Sequence, residues 1–80
     1  GNFASVYGTS VHYADNHLFV ELGSAFVEGA MVRILDLQGR EVMRKIAARS
    51  AAFDVQALPA GIYHVAVQSK NRTEIRRFKK

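Results

Sequence analysis

The sequence has no cysteine, no tryptophan and a single proline among its 80 residues. The missing cysteines exclude disulfides, thiol nucleophiles and thiolate metal sites together. They do not fix a compartment, since cytosol and periplasm both tolerate a cysteine-free chain. Without Cys and Trp there is no antibody-type pin between sheets. No apolar run approaches the roughly 18 residues that would suggest a membrane span. No basic stretch followed by an apolar one marks a secretory signal peptide. Gly1 is compatible with an excision boundary, and the chain with a piece of a longer protein.

What is present reads as one domain. Hydrophobic residues are 49% and charged residues 22%, an ordinary globular composition. A chain of this size buries only about 60% of the surface its unfolded form exposes, so its core is modest. The net charge of +4 is unevenly spread. Lys70 to Lys80 holds six basic residues against Glu74 alone, whereas the rest holds five bases and six acids. Charge confined to one end suggests an interaction element more than a general nucleic-acid binder.

Hydrophobicity alternates with a period of two. Leu18, Val20 and Leu22 share a face, as do Ala30, Val32 and Ile34, then Phe53 and Val55, then Tyr63, Val65 and Val67. "TEIRRF" continues as a last strand with a charged face. Its alternation breaks between Ile75 and Phe78, which predicts a bulge or a frayed end. Turns are expected at Asp15 and Asn16, at Gly39, and at Lys70 and Asn71, where asparagine tolerates the left-handed region. "VMRKIAARSAA" is ambiguous; the reading taken is a strand from Glu41 to about Ala47 and a loop over 48–51. Leu58 to Gly61, with its proline, cannot be central strand. It reads as a corner where the chain leaves one sheet for the other. The expected fold is all-β: a two-sheet antiparallel sandwich of about seven strands.

Catalytic chemistry finds little support. His12 and His17 are separated by a turn, and a metal site needs three or four converging ligands. Ser10, His64 and Asp54 exist, but no strained Gly-x-Ser-x-Gly turn presents a nucleophile. Asp36 and Asp54 read as a turn residue and an outward strand residue, not as a glycosidase pair. "NRT" at Asn71 matches a glycosylation acceptor, but the turn explains it. No catalytic residue, metal or cofactor is expected. The basic end has three readings: a solvated edge strand protected by charge, a polyanion contact, or a recognition strand whose free margin a partner extends. Aromatics for base stacking are sparse, which argues against nucleic acid.

"VRILDLQGREV" (Val32 to Val42), "FDVQALPAGIYHVAV" (Phe53 to Val67) and the basic finish "RRFKK" resemble the C-terminal sorting domain of type IX secretion cargo proteins. That resemblance implies a sorting motif at Gly39, Arg40, Leu58, Pro59, Ala60, Gly61 and Tyr63. It also implies an immunoglobulin-like β-sandwich without catalytic activity. Such a domain follows a cargo domain in the same chain and crosses the periplasm. Outer-membrane translocon or shuttle components then read it, and the cargo reaches the cell surface or is secreted. A sortase-like peptidase commonly removes the domain, which places residues 1–5 in or near a linker at the cleavage site. The family's Asn-Pro strand entry is absent before Leu18, where one or two extra strands are expected instead. The expected recognition strand comprises Thr73, Glu74, Ile75, Arg76, Arg77, Phe78, Lys79 and Lys80. The alternative is a surface adhesion or carbohydrate-binding sandwich, with Tyr7, Tyr13 and Phe19 as an aromatic platform. An edge-strand homodimer in isolation is a further expectation.

Overall fold

The computed structural model describes residues 8–80. Seven strands follow in chain order: β1 Ser10–Ala14, β2 His17–Glu21, β3 Ala30–Leu35, β4 Glu41–Ala47, β5 Ser50–Asp54, β6 Ile62–Gln68 and β7 Thr73–Lys79. A 3-10 turn, Ser24–Phe26, lies between β2 and β3. The strands form a three-stranded sheet, β1-β2-β5, and a four-stranded sheet, β4-β3-β6-β7, with every pairing antiparallel. The result is a slab measuring 33 × 29 × 17 Å.

The period-two pattern builds this sandwich because alternate side chains face opposite sides of a sheet. Leu18 and Val20 of β2, Val32 and Ile34 of β3, Phe53 of β5, and Val65 and Val67 of β6 are almost wholly buried. Val55, just past β5, is equally buried. Asp15 and Asn16 join β1 to β2 with φ of 54° and 62°, the doubly left-handed turn whose twist suits a two-residue hairpin. Between Ile34 and Leu35 the β3–β4 register slips by one residue, leaving Val42 without a partner.

Three local expectations need correction. The β4–β5 connection is only Ala48 and Arg49, because Ser50 and Ala51 pair with Glu21 and Val20. β7 has no bulge; it pairs with β6 in unbroken register from Thr73 to Lys79. Its alternation looks broken only because the inward side carries Glu74 and Arg76, whose polar ends are hydrogen-bonded. Asn71 does sit at a hairpin tip, with Ser69 N–H donating to Arg72 O at 2.8 Å, but its φ is not positive. Residues 1–5 and Tyr7 lie outside the described residues.

The sandwich protects one long side with a lysine. Lys45 of edge strand β4 crosses to β5, donates to the Ala52 carbonyl at 2.5 Å, and lies 5.5 Å from the centre of the Phe53 ring. An inward-pointing charge of this kind blunts an edge against unwanted pairing.

Three glycines carry backbone angles that L side chains rarely adopt, Gly39 in the β3–β4 hairpin and two at strand entries. Gly29 enters β3 at φ +92°, and a Cβ there would lie 2.7 Å from the Ala47 carbonyl oxygen. Gly61 enters β6 at φ +154°, with open space around the missing Cβ. Gly61→Val should therefore cost about 1–3 kcal/mol through backbone strain alone. Gly29→Ala should cost more, because strain and a backbone collision add. Urea unfolding of both variants measures this; equal midpoints would contradict the steric account.

Candidate functional site

Three segments far apart in sequence meet at one end of the slab: the β3–β4 hairpin, the β5–β6 corner, and the end of β7. The hairpin is organised by Asp36. Its Oδ1 accepts the backbone amides of Gln38 and Arg40, both at 2.9 Å, and its Oδ2 accepts Arg40 Nε at 2.8 Å. Gly39, at φ +83°, lets the turn close, and its N–H donates to Asp36 O at 3.0 Å. The Arg40 amide leads the donors that hold the Asp36 carboxyl below its ordinary value, outweighing partial desolvation.

The corner is held from both sides. Leu58 N–H donates to Val55 O at 3.0 Å, closing the turn before Pro59. The Tyr63 hydroxyl donates to the Pro59 carbonyl four residues upstream, the bond of a tyrosine corner. Tyr63 also stacks on Phe78 of β7 with ring centres 5.4 Å apart. Lys80 completes the arrangement. Its backbone exchanges two hydrogen bonds with Gly61, at 3.0 and 2.8 Å. Its Nζ donates to the carbonyls of Gln56 at 2.9 Å and Leu58 at 2.5 Å. Asp36, Arg40, Leu58 and the 59–63 segment line a shallow cleft of about 320 Å³ beside the exposed Leu37.

All seven sequence-predicted motif residues, Gly39, Arg40, Leu58, Pro59, Ala60, Gly61 and Tyr63, therefore fall in this one region. The eight residues of the expected recognition strand divide. Phe78 belongs to the core, 6% exposed and stacked between Tyr63 and Tyr13. Glu74 is 8% exposed and engaged. Arg76 points inward and Lys80 holds the corner. Only Thr73, Ile75, Arg77 and Lys79 face outward.

Glu74 anchors the other end of β7. Its Oε1 accepts the Thr9 amide at 3.1 Å, and its Oε2 accepts Arg72 Nε at 3.0 Å. Thr9 Oγ1 in turn accepts the Gly23 amide at 3.1 Å, and Arg76 Nε donates to Thr9 O at 2.8 Å. The Thr9 hydroxyl, with Arg72 and the Thr9 amide, holds the Glu74 carboxyl below its ordinary value despite desolvation. Sequence reading missed Thr9 because nothing local links it to a strand 65 residues away. It likewise missed Gln56, which contributes only a backbone carbonyl.

The other sequence candidates do not converge. His12 and His17 flank exposed Phe19 on the outer face of the three-stranded sheet, with ring centres 6.4 and 6.2 Å from it. Ser10 and Asp54 share that face, whereas His64 lies on the opposite outer face. Tyr13 points into the sandwich, so Tyr13 and Phe19 cannot form one platform; the expected aromatic surface is corrected on that ground. Among the described residues, no group of three His, Asp or Glu could hold a metal ion.

The family model for a secretion system C-terminal sorting domain matches residues 14–80. Among solved structures, a DUF3244-family protein of Bacteroides vulgatus ATCC 8482 with an immunoglobulin-like β-sandwich fold is similar, with a TM-score of 0.77. The match has 15% identity and covers 100% of this chain and 90% of that one, which shows the shared fold alone. No curated protein matches the chain.

Two predictions follow from the two anchors. Because its folded value is depressed, Glu74 stabilises the fold above its ordinary value of 4.5 and loses that contribution as pH falls through the lower folded value. Asp36 and Glu41 act in the same direction. Glu74→Gln should cost about 1–3 kcal/mol at neutral pH, and the cost should shrink in acid. Urea midpoints across the acid range test the sign; a pH-independent cost would refute it. Lys80→Met keeps the stem but removes the donor. It should cost about 1 kcal/mol and speed hydrogen exchange at the Gly61 amide.

Proposed function

Because this chain belongs to the secretion system C-terminal sorting domain family, we propose that outer-membrane components of type IX secretion read it through the open margin of β7. The observation that carries this reading is the position of β7. Among the described residues it is an edge strand with β6 as its sole partner in the sheet. The reciprocal Gly61–Lys80 bonds fix which backbone groups face β6. In an antiparallel pair these alternate. With the β6–β7 register, Glu74, Arg76 and Phe78 turn their amides and carbonyls towards β6, whereas Thr73, Ile75, Arg77 and Lys79 turn theirs away. Arg76 Nη1 occupies the Ile75 carbonyl at 2.9 Å. The outward amides are the kind of row a partner strand extends. Exposed Arg77 and Lys79 steer the encounter.

In this reading the hairpin and corner hold β7 in place and make no primary contact. The cargo domain lies upstream in the same chain and passes through the periplasm before reaching the surface or the medium. A sortase-like peptidase separates the two near residues 1–5. The same open margin offers a second copy a strand to pair with when the domain is alone.

Deleting Arg77 to Lys80 is a poor test, since it removes core Phe78 and the Lys80 anchor. Proline is the sharper probe, because at an outward position it deletes only an outward amide. Ile75→Pro and Arg77→Pro should remain folded by circular dichroism. They should nonetheless stop a cargo reporter from reaching the cell surface, while the matching alanine variants are exported. Normal surface delivery of both folded proline variants would overturn recognition through this margin.

A further inference from the structure

The two broad faces of the slab carry opposite charge. The outer face of the four-stranded sheet presents Arg33, Arg44, Arg77 and Lys79 against one carboxylate, Glu41. The outer face of the three-stranded sheet presents Glu21 and Asp54 and has no lysine or arginine on its strands. Glu41 is shared, at 2.6 Å from Arg44 and 3.9 Å from Arg33. Arg33 is loosely held: Nη2 lies 3.4 Å from Gln68 Oε1, and Nε is buried without a hydrogen-bond partner. Aliphatic side chains stand among these cations. Ile46 is 82% exposed and Ile75 50% exposed.

We propose that this basic, aliphatic face docks flat on an anionic phospholipid bilayer. The partly exposed guanidiniums of Arg33 and Arg44 suit a phosphodiester oxygen. Exposed aliphatic residues among cations suit the boundary between headgroups and acyl chains. A four-stranded face spreads its charge over a plane rather than a groove. Its strands present no Phe, Tyr or Trp outward, so it lacks the stacking platform of a single-strand nucleic-acid binder. The acidic opposite face fixes which side turns to the membrane. This surface shares Arg77 and Lys79 with the sorting reading, but it uses their side chains on the sheet face and not the backbone margin of β7.

The test is flotation of the purified chain with phosphatidylglycerol-containing vesicles and with pure phosphatidylcholine vesicles. The chain should float with the anionic vesicles alone and be released by high salt. Arg33→Gln with Arg44→Gln, and separately Arg77→Gln with Lys79→Gln, should each lower partitioning about tenfold or more, on a scale of roughly fivefold per basic residue. Glu21→Gln, on the opposite face, should not lower it. Circular dichroism confirms that each variant is folded. Equal flotation with both vesicle types, or none with either, overturns the proposal. So does displacement by inorganic phosphate beyond that by chloride of equal ionic strength, which would mark a discrete phosphate site. The assay contains no export machinery, so its outcome is independent of surface delivery.

Discussion

Glu74 is the only acid between Lys70 and Lys80, and one end of the sandwich closes on it. Thr9, Arg72 and Arg76 all gather around this carboxylate or around each other, and Gly23 joins through the Thr9 hydroxyl. Desolvation would raise the carboxyl's proton affinity, but the donors around it win. A buried carboxylate is tolerable only when its oxygens are hydrogen-bonded and its charge is matched. Here both conditions are met by residues from three separate parts of the chain. β7 is thereby held to the far side of the sandwich by side chains, with no second neighbouring strand among the described residues.

The other end of β7 is held by a different chemistry to the same effect. Lys80 satisfies two carbonyls of a turn that has no ladder of its own, and its backbone pairs with Gly61. Tyr63 and Phe78 fill the space between corner and strand. With both ends fixed, the middle of β7 remains an edge whose alternate residues have separate duties. Glu74, Arg76 and Phe78 hold the fold, and the residues between them face outward. That division explains how one short segment serves both packing and exposure. It also explains why the two inward charges leave the other sheet within reach without adding a strand to the edge.

Edges on the opposite side are treated differently. Lys45 ties β4 to the outer margin of β5, so that side carries a charge where a partner strand would have to pair. Both long sides thus use inward charged residues, but only on the β7 side do these residues also fasten the start of the described chain. The broad faces are equally unlike one another, one basic and one acidic. A slab with unequal faces and unequal sides has a defined orientation towards anything it meets.

Much of this was legible in the sequence. Period-two alternation identified the buried faces of β2, β3, β5 and β6, since side-chain direction in a strand follows from sequence position alone. Gly39 and the Asp15–Asn16 pair marked hairpins because left-handed backbone is a local property. Pro59 and Gly61 marked the change of sheet for the same reason. The β4–β5 loop was read too long because Ser50 and Ala51 are strand only through their pairing with β2. The sequence suggests a bulge in β7 because Ile75 and Phe78, three residues apart, cannot share one face of a regular strand; Ile75 in fact faces outward, and the contact of Arg76 with Thr9 marks the inner side. Local backbone geometry and burial pattern are written residue by residue, so the sequence by itself determined the all-β sandwich and its corners. Which charges are buried, which lysine holds a turn and which margin stays open depend on groups brought together across the chain, so only the tertiary structure decided them.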